Sequence, residues 1–439
     1  MSPFDSEIYR ELLFDAEVGG QLCDTAEISA WLRVEAALGL CQGELGIIPA
    51  ESAAAIDRVC AEIDIDPASL AAGTGRDGIP IPALVTMLQA ALGDEHGAYV
   101  HFGATTQDIM DTGLALRLGG ICRIIETRIR RLLQLLASQA ESHAELPLAA
   151  RTRTRLATPT SFGAVIAGWG VPLLGLLEAL DQLKPRLLRV SLAGAAGNST
   201  ALGDRSAELR TALAVELGLG DSEFQWHNDR TGLAEFSACC TRINGGLARM
   251  AQDYIEATRP EVGEITPTAG GGSSTMPHKN NPVDAETLIS LFQVSAAQQA
   301  LMTQAVLHRQ QRDGVAWALE WHALPQVCMA TARGLQLATT LAETLQPDAV
   351  AMLVRLEGDH GLVYAEAISF QLAGIMPRPE AQAEVKKMCA AAIEQDCLLT
   401  EIAAQRFPDI DWRTIMVPER QLGDAPRQAR AFAARVATL

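Results

Sequence analysis

Long runs of helical periodicity constrain this chain more than any other feature. Between Thr25 and Gly43, apolar residues recur mostly at intervals of three and four, which is the spacing of one face of an α-helix. The same spacing returns in Arg117–Ala140, Phe162–Leu192, Leu233–Ala257, Val283–Val306 and Leu324–Leu345. Alternating strand patterns bounded by hairpin turns are nearly absent. Since Ala and Leu dominate the apolar residues, composition also favours helix, and the sequence predicts an all-α protein.

One apolar stretch has a second interpretation. Leu156–Leu177 contains no charged residue and is long enough to cross a bilayer as a helix. It also contains prolines and glycines, and acidic residues follow at once in Glu178–Asp181, which does not suit a membrane span. A helix that is apolar on every side is shielded either by lipid or by protein. We expect a central bundle helix and no membrane span.

Charge and cysteine usage exclude several classes of function. The chain has 53 acidic and 35 basic residues, a net charge of −18, which repels phosphate backbones and argues against nucleic acid as a partner. An anionic substrate would therefore need a local basic pocket. The nine cysteines show no C-x-x-C spacing, so neither a zinc site nor a disulfide framework is predicted. This usage fits the cytoplasm, and no secretory signal is visible at the N-terminus.

The breaks between helical stretches suggest three domains. We place an N-terminal helical domain at residues 1–100, a central long-helix bundle at 101–345 and a small C-terminal helical domain at 346–439, sizes that are ordinary for domains. The last boundary rests on the turn signal of Gln346–Asp348. Several breaks are polar and rich in glycine or proline, and binding residues concentrate on such loops.

The glycine-rich segment Gly270–Pro282 is the sharpest of these breaks. Its three glycines allow the backbone to approach a ligand closely, and Ser273, Ser274 and Lys279 offer hydroxyl groups and a positive charge. It is not a Walker phosphate loop, because the lysine is followed by Asn. By composition alone, the segment is either a loop that closes on an anion or a linker.

This segment resembles the signature of the fumarase/aspartase superfamily, G-S-S-x-M-P-x-K-x-N-P, at every fixed position from Gly272 to Pro282. The resemblance implies a three-domain all-α fold whose long-helix bundle forms the core of a homotetramer with shared active sites. It implies no metal and no organic cofactor, and it makes Ser273 the catalytic base. A serine ionises near neutral pH only if positive charge and amide donors stabilise its alkoxide, and Lys279 would supply that charge. The segment's other implied substrate contacts are Ser274, Met276 and Asn281.

A second block, His101–Asp108, places hydroxyl groups and an amide on one turn before a helix that starts near Ile109. Amide groups at a helix start bind carboxylates, although simple N-capping by Thr105 or Asp108 is the alternative. The block is similar to H-x-G-A-T-S-Q-D, the substrate-carboxylate turn of the superfamily's 3-carboxy-cis,cis-muconate cycloisomerase branch. The resemblance implies that Thr105, Thr106 and Gln107 bind substrate, with Thr106 in place of the usual Ser.

A third block contains Arg151, Arg153 and Arg155, spaced by two. In one extended segment they would share a face and form the basic patch that an anionic substrate needs, although a solvated charge run is an equal alternative. The segment resembles the loop R-T-H-G-Q of adenylosuccinate lyases, whose His is the general acid. Arg153 stands at that position, and an arginine cannot donate its proton at working pH. The cycloisomerase branch also lacks this His, and all three arginines are predicted substrate contacts.

The general acid is the open role. His143 matches a His of the cycloisomerase branch, and its ordinary pKa suits proton donation, although a surface His at a helix end is the common alternative. His227 follows Trp226 in a segment close to that branch's W-H-x-x-R, and packing and ligand roles are equally open for it.

The segment Gln310–Trp321 resembles a further pattern of the branch, R-x-x-G-x-W-x-x-E-W, with the glycine displaced by one. The resemblance implies that Arg312 is a carboxylate ligand. Trp317 and Trp321 are four residues apart, which predicts one packed helical face.

The resemblance implies a lyase or cycloisomerase that acts on a small polycarboxylate. Cyclisation of 3-carboxy-cis,cis-muconate, a step of aromatic catabolism, is the first expectation. The alternative is a C–N lyase that releases fumarate from an N-substituted aspartate or a related succinyl substrate, since Arg153 and Arg155 replace the branch's usual Trp and Gln. An inactive structural relative is a third possibility, against which the retention of Ser273, Lys279 and Asn281 argues.

Overall fold

The computed structural model of the chain describes residues 2–267, 271–272, 275–276 and 279–439. Helices make up most of these residues, and strands occur in them only as two short antiparallel pairs. The predicted all-α class is confirmed. Every cysteine lies in this part of the chain and is a free thiol there, and Cys23 alone among them is exposed.

The N-terminal helices correspond to the first periodic stretch and its neighbours. They are α1 (Arg10–Leu13), α2 (Ala16–Leu22), α3 (Asp24–Glu44), α4 (Ala50–Glu62), α5 (Ala71–Asp77) and α6 (Ile81–Gly97). Apolar residues on one face of α3, including Trp31, Leu38 and Cys41, are buried in a cluster with Ile56 of α4 and Leu84 of α6. Each fully buried aliphatic side chain contributes about 1.5–3 kcal/mol, so α3 is firmly held against its neighbours.

The longer periodic stretches form the long helices, close to where the sequence predicts them. They are α7 (Thr106–Ser142), α8 (Phe162–Leu187), α10 (Thr231–Thr258), α11 (Val283–Ala305) and α12 (Gly314–Glu343), with the shorter α9 (Ser206–Leu217) between α8 and α10. Two starts differ from expectation. Helix α7 begins at Thr106 rather than near Ile109, and α12 begins at Gly314, ten residues before the predicted Leu324, and continues through Pro325.

Helix α8 contains much of the stretch that could be mistaken for a membrane span. It is the one helix of the described residues that is long and apolar enough to cross a membrane, and half of its most apolar window is buried inside the protein. Its Trp169 donates a hydrogen bond from Nε1 to Asp253 at 2.8 Å. Packing against the rest of the protein therefore shields much of this helix from water.

The C-terminal part is a set of shorter helices. They are α13 (Ala349–Glu357), α14 (Ala365–Leu372), α15 (Arg378–Glu394), α16 (Leu399–Arg406), α17 (Trp412–Ile415) and α18 (Ala425–Val436). Ile368, Met388, Leu399 and Trp412 are buried together in one apolar cluster.

Two compact units are formed, each from three separate segments of chain. The first unit comprises Met1–Arg128, Leu176–Asn244 and Ser290–Gly334, and the second comprises Ile129–Gly175, Gly245–Ile289 and Leu335–Leu439. The division into domains at residues 100 and 345 stays a prediction.

Candidate active site

The block His101–Asp108 forms a turn followed by the first residues of α7. The amide of Asp108 donates to the Thr105 carbonyl at 2.9 Å, and the Thr105 amide donates back to Asp108 Oδ2 at 3.0 Å. This reciprocal pair satisfies backbone groups that a helix start leaves unpaired. Asp108 therefore has the capping role that was the alternative for this block.

Asp108 is fully buried and also binds a second segment of the first unit. Its carboxylate accepts hydrogen bonds from the amides of Ala193 and Gly194 at 2.9 Å each and lies 2.8 Å from His227 Nε2. Burial by itself would raise the pKa of Asp108, but the hydrogen bonds and charge of His227 and the two amides outweigh it, so this pKa lies below its ordinary value. His227 is 1% exposed, so it is buried within the first unit with Asp108 as its partner.

Three of the predicted substrate contacts come together beside this turn. Arg312 Nε donates to Gln107 Oε1 at 2.8 Å, and Arg312 Nη2 lies 3.4 Å from Thr105 Oγ1. Gln107 is fully buried and donates in turn to the His227 carbonyl at 2.8 Å. Thr106, half-buried, opens α7 between these two residues. A guanidinium, a hydroxyl group and a helix start are each groups that can bind a carboxylate, and here they lie close together.

A fully buried ion cluster lies one helical turn further along α7. Arg230 donates to both oxygens of Asp111 at 2.7 and 2.9 Å and to both oxygens of Glu320 at 2.7 and 2.6 Å. The family patterns W-H-x-x-R and W-x-x-E-W had drawn attention to two of these segments. The pairing itself was not predictable from the sequence, because Arg230 lies 90 positions from Glu320 and 119 from Asp111. Within the first unit, the cluster ties α7 and α12 to Arg230, the residue that precedes α10.

The two tryptophans of α12 lie in contact, with ring centroids 5.3 Å apart. Trp317 is buried, as the packing interpretation predicts, whereas Trp321 is 43% exposed. Both line a cavity of about 640 Å³ in the first unit, together with Asp111 and Glu320. Thr105, Gln107 and Arg312 do not line it, so it is separate from the candidate carboxylate site.

The arginine-rich block differs from the extended segment that the sequence predicts. It forms an antiparallel hairpin of β1 (Pro147–Thr152) and β2 (Arg155–Ser161), and the chain reverses at Arg153 and Thr154, whose φ angles are +50° and +69°. Arg151 is opposite Leu156, and Arg155 is opposite Thr152. Because directly paired residues share a face and neighbours alternate, Arg151 and Arg155 lie on opposite faces. The expectation of one shared face is wrong.

Arg151 has a partner that sequence reasoning missed. Its two terminal nitrogens donate to the two carboxylate oxygens of Glu264 at 2.7 and 2.8 Å, and Glu264 is 1% exposed. The side chains of Arg153 and Arg155 are exposed and make no hydrogen bond or ion pair within the described residues. The unpaired positive charges of this hairpin are thus those of Arg153 and Arg155 at its tip, whereas Arg151, just before the turn, is held by Glu264.

His143 follows the end of α7 in the second unit. Its ring centroid is 5.8 Å from that of Phe162, and its carbonyl accepts the Gly163 amide at 2.9 Å. Burial lowers the pKa of its imidazole. The residue is half-buried at a helix end, a position that suits either the common surface His or the predicted acid.

Within the signature segment, the structure describes residues 271–272, 275–276 and 279–282. Strand β3 (Gly271–Gly272) pairs antiparallel with β4 (Asn280–Asn281), which brings the start and the end of the motif together. Met276 is 41% exposed, and its carbonyl accepts the amide of Lys279, itself exposed, at 3.0 Å. The predicted base Ser273 and its neighbour Ser274 lie outside the described residues.

No group of three or more His, Cys, Asp or Glu residues that could hold a metal ion occurs in the described ranges. The described residues whose positive charge can bind anions are Arg312 in the first unit and the exposed Arg153, Arg155 and Lys279 in the second.

Comparison with known proteins supports one family throughout. A family model described as lyase matches residues 21–295. The chain is 38% identical over 405 residues to a 3-carboxy-cis,cis-muconate cycloisomerase of Pseudomonas aeruginosa, covering 89% of this chain and 87% of the relative. It is 31% identical to an N-acetyl-S-(2-succino)cysteine lyase of Enterococcus italicus, covering 93% and 88%. The crystal structure of a 3-carboxy-cis,cis-muconate lactonizing enzyme from Pseudomonas putida has a TM-score of 0.92 and 30% identity, covering 99% of each chain.

Proposed function

Since the chain belongs to the lyase family of the fumarase/aspartase superfamily, we propose that it is a 3-carboxy-cis,cis-muconate cycloisomerase. The observation that carries the proposal is the convergence of Arg312, Thr105 and Gln107 at the start of α7. A charged and hydrogen-bonded carboxylate site is what a substrate with several carboxylates requires. The similarity to curated enzymes of this name supports the choice of substrate.

The proposed reaction forms a lactone inside one substrate molecule. A carboxylate oxygen bonds to one carbon of an alkene, and the alkene's electron pair moves to the neighbouring carbon, where the adjacent carboxylate delocalises it as an aci-carboxylate. Ser273 then delivers a proton to that carbon, and in the reverse direction the Ser273 alkoxide removes it. Lys279 and loop amides stabilise the alkoxide, and exclusion of water by the signature loop strengthens these contacts.

The remaining predicted contacts bind the substrate's other carboxylates. Asn281, Ser274 and Met276 contribute from the signature segment, and Arg153 and Arg155 contribute positive charge from the hairpin tip, which Arg151 supports. His143 is the proposed acid for the oxygen that leaves in the reverse direction. Burial lowers the pKa of His143, and a negatively charged substrate bound beside its imidazole would raise that pKa.

The enzyme is proposed to act as a cytoplasmic homotetramer without a cofactor. The family likeness supports active sites that combine the first, arginine-rich and signature segments of different subunits, and closed symmetry is the usual state of such assemblies. Its partner in the cell is then a small polycarboxylate rather than nucleic acid or a membrane.

A second candidate is elimination from a succinyl substrate to give fumarate. It is favoured by the similarity to a relative named for a succinocysteine and by the positive charge of the hairpin tip. The same base, Ser273, would remove the proton next to a carboxylate while a C–N or C–S bond breaks.

An ultraviolet assay of the purified protein distinguishes the two. We expect the absorbance of 3-carboxy-cis,cis-muconate to fall, and the loss to disappear in Ser273→Ala. Adenylosuccinate, argininosuccinate and other N- or S-succinyl compounds serve as parallel substrates. Fumarate from one of these, with no muconate turnover, would replace the cycloisomerase by the lyase.

A further inference from the structure

Two polar side chains are buried on a face of α3 that is otherwise apolar. Glu35 and Gln42 are each 1% exposed, and the neighbouring Val34, Leu38 and Cys41 are buried as well. Burying a polar group costs free energy unless it is hydrogen-bonded. Glu35 Oε2 and Gln42 Oε1 have no hydrogen-bond partner in the described part of the chain. Packing alone would be served better by apolar residues at both positions.

The other polar atom of each side chain binds the same turn. Glu35 Oε1 lies 2.6 Å from His101 Nδ1, and Gln42 Nε2 donates to the carbonyl of Phe102 at 2.6 Å. Positions seven apart lie two turns along one helical face. One face of α3 therefore grips two consecutive residues of the turn that precedes the candidate carboxylate site.

The gripped turn has a backbone that does not form readily by itself. His101 has a φ of +59° and Gly103 a φ of +76°. The left-handed region is uncommon for residues other than glycine, and such a conformation persists where the surroundings fix it. A Cβ atom at position 103 would lie 2.5 Å from Leu202 Cδ2, so Leu202 limits the turn from another side.

The turn leads directly to the residues that face Arg312. The Ala104 amide donates to the His101 carbonyl at 3.3 Å, and the next residue is Thr105, whose Oγ1 lies 3.4 Å from Arg312 Nη2. Two residues later, Gln107 accepts from Arg312. A change in the backbone at His101 or Phe102 therefore moves the Thr105 hydroxyl relative to the guanidinium.

We propose that Glu35 and Gln42 are positioning residues of the active site. From α3 they hold the turn His101–Gly103 in its left-handed conformation, which sets Thr105 beside Arg312 and so determines the affinity for a substrate carboxylate. The inference rests on the proposed function for the carboxylate-binding role of Thr105. The hold on the turn itself does not depend on which substrate is bound.

The test compares Glu35→Gln and Gln42→Leu with Glu44→Gln, which changes an exposed carboxylate on the same helix. Hydrogen–deuterium exchange of the peptide covering residues 99–108 reports the turn without any substrate. Steady-state turnover of 3-carboxy-cis,cis-muconate reports its consequence, and the thermal midpoint reports the fold.

We expect exchange in residues 99–108 to become about tenfold faster in both variants, with exchange elsewhere unchanged. KM should rise about tenfold or more while kcat stays within about threefold, because misplacement of a binding group weakens substrate binding. Glu44→Gln should match the wild type in all three readouts.

Unchanged exchange at residues 99–108 in both variants would overturn the proposal. A lower thermal midpoint, faster exchange throughout the chain and an unaltered KM would also overturn it, because that combination marks a purely structural role. If wild-type protein does not turn over the muconate, the proposed function fails, and the exchange measurement still decides whether Glu35 and Gln42 hold the turn.

Discussion

Arg230 shows how much a single residue carries in this fold. It is fully buried just before α10 and donates to one carboxylate on α7 and one on α12. Its pKa is raised far above its ordinary value, because the attraction of Asp111 and Glu320 outweighs the cost of burial. Glu320 keeps a pKa above its ordinary value despite Arg230, since burial is the largest influence on it. Removing one partner of such a buried ion cluster is costly, because the charges that remain are neither paired nor solvated.

We expect Arg230→Met to lower the free energy of unfolding by about 3–5 kcal/mol at pH 7. In the variant both carboxylates are buried without a countercharge, and the pKa of Glu320, which burial already raises, lies still further above its unfolded value. The folded state then binds more protons than the unfolded state, and stability rises as the pH falls. Urea unfolding at pH 5.5 and 7.5 measures both effects.

Arg186→Met is the matched control, because Arg186 bonds Glu235 on the surface with 58% and 51% of the two side chains exposed. Its loss should cost less than about 1 kcal/mol. Equal losses in the two variants, or an Arg230→Met variant that weakens on acidification, would contradict the role assigned to the cluster.

At the scale of the element, Asp108 fastens the start of α7 to the segment around Ala193. Its single carboxylate accepts hydrogen bonds from the amides of Thr105, Ala193 and Gly194 and lies within hydrogen-bond distance of His227. Burial opposes its charge, but these donors prevail and hold its pKa below the ordinary 3.8. Its contribution to stability is therefore present above that value and is lost as the pH falls through the lower folded pKa.

Asp108→Asn should lower the free energy of unfolding by about 2–4 kcal/mol at pH 7, since hydrogen bonds to a buried carboxylate are lost. The difference from wild type should shrink below pH 3.8, the ordinary value, as Asp108 becomes protonated. Asp221→Asn is the control, because Asp221 also accepts from several donors but is partly exposed. Denaturant unfolding across this pH range checks the expectation, and an undiminished difference at low pH would refute it.

At the scale of the whole molecule, the proposed sharing of active sites predicts complementation between inactive variants. Ser273→Ala and Arg312→Met change two different segments. When mixed subunits assemble at random, about one quarter of shared sites regain both native segments. We expect that share of wild-type turnover after the two variants are denatured together and refolded.

Ser273→Ala mixed with Lys279→Met provides the control, because both changes lie in one segment and no site can receive an intact copy. Recovery in the control, or none in the test mixture, would mean that sites are not shared as proposed. The oligomeric state of each mixture is measured by light scattering, and a monomer would also contradict the model.

The sequence predicted the helices better than it predicted the contacts. Periodicity located α3, α10 and α11 within a few residues, because burial of one face repeats along the chain. The hairpin around Arg153 was missed because its reversal depends on two left-handed residues that are not glycine. The partnership of Arg151 with Glu264 joins positions 113 apart, and pairings of this kind arise only from tertiary packing.

The arginine hairpin has a consequence for how such enzymes diversify. Strand pairing and the Arg151–Glu264 ion pair hold its backbone, whereas the side chains of Arg153 and Arg155 are exposed and make no hydrogen bond or ion pair in the described residues. Exchanges at the tip therefore alter the charge offered to a ligand at little expense to folding, since exposed positions without partners tolerate substitution. Under the proposed function, substitutions at Arg153 and Arg155 would change which substrates bind without changing the fold or the proposed role of Ser273.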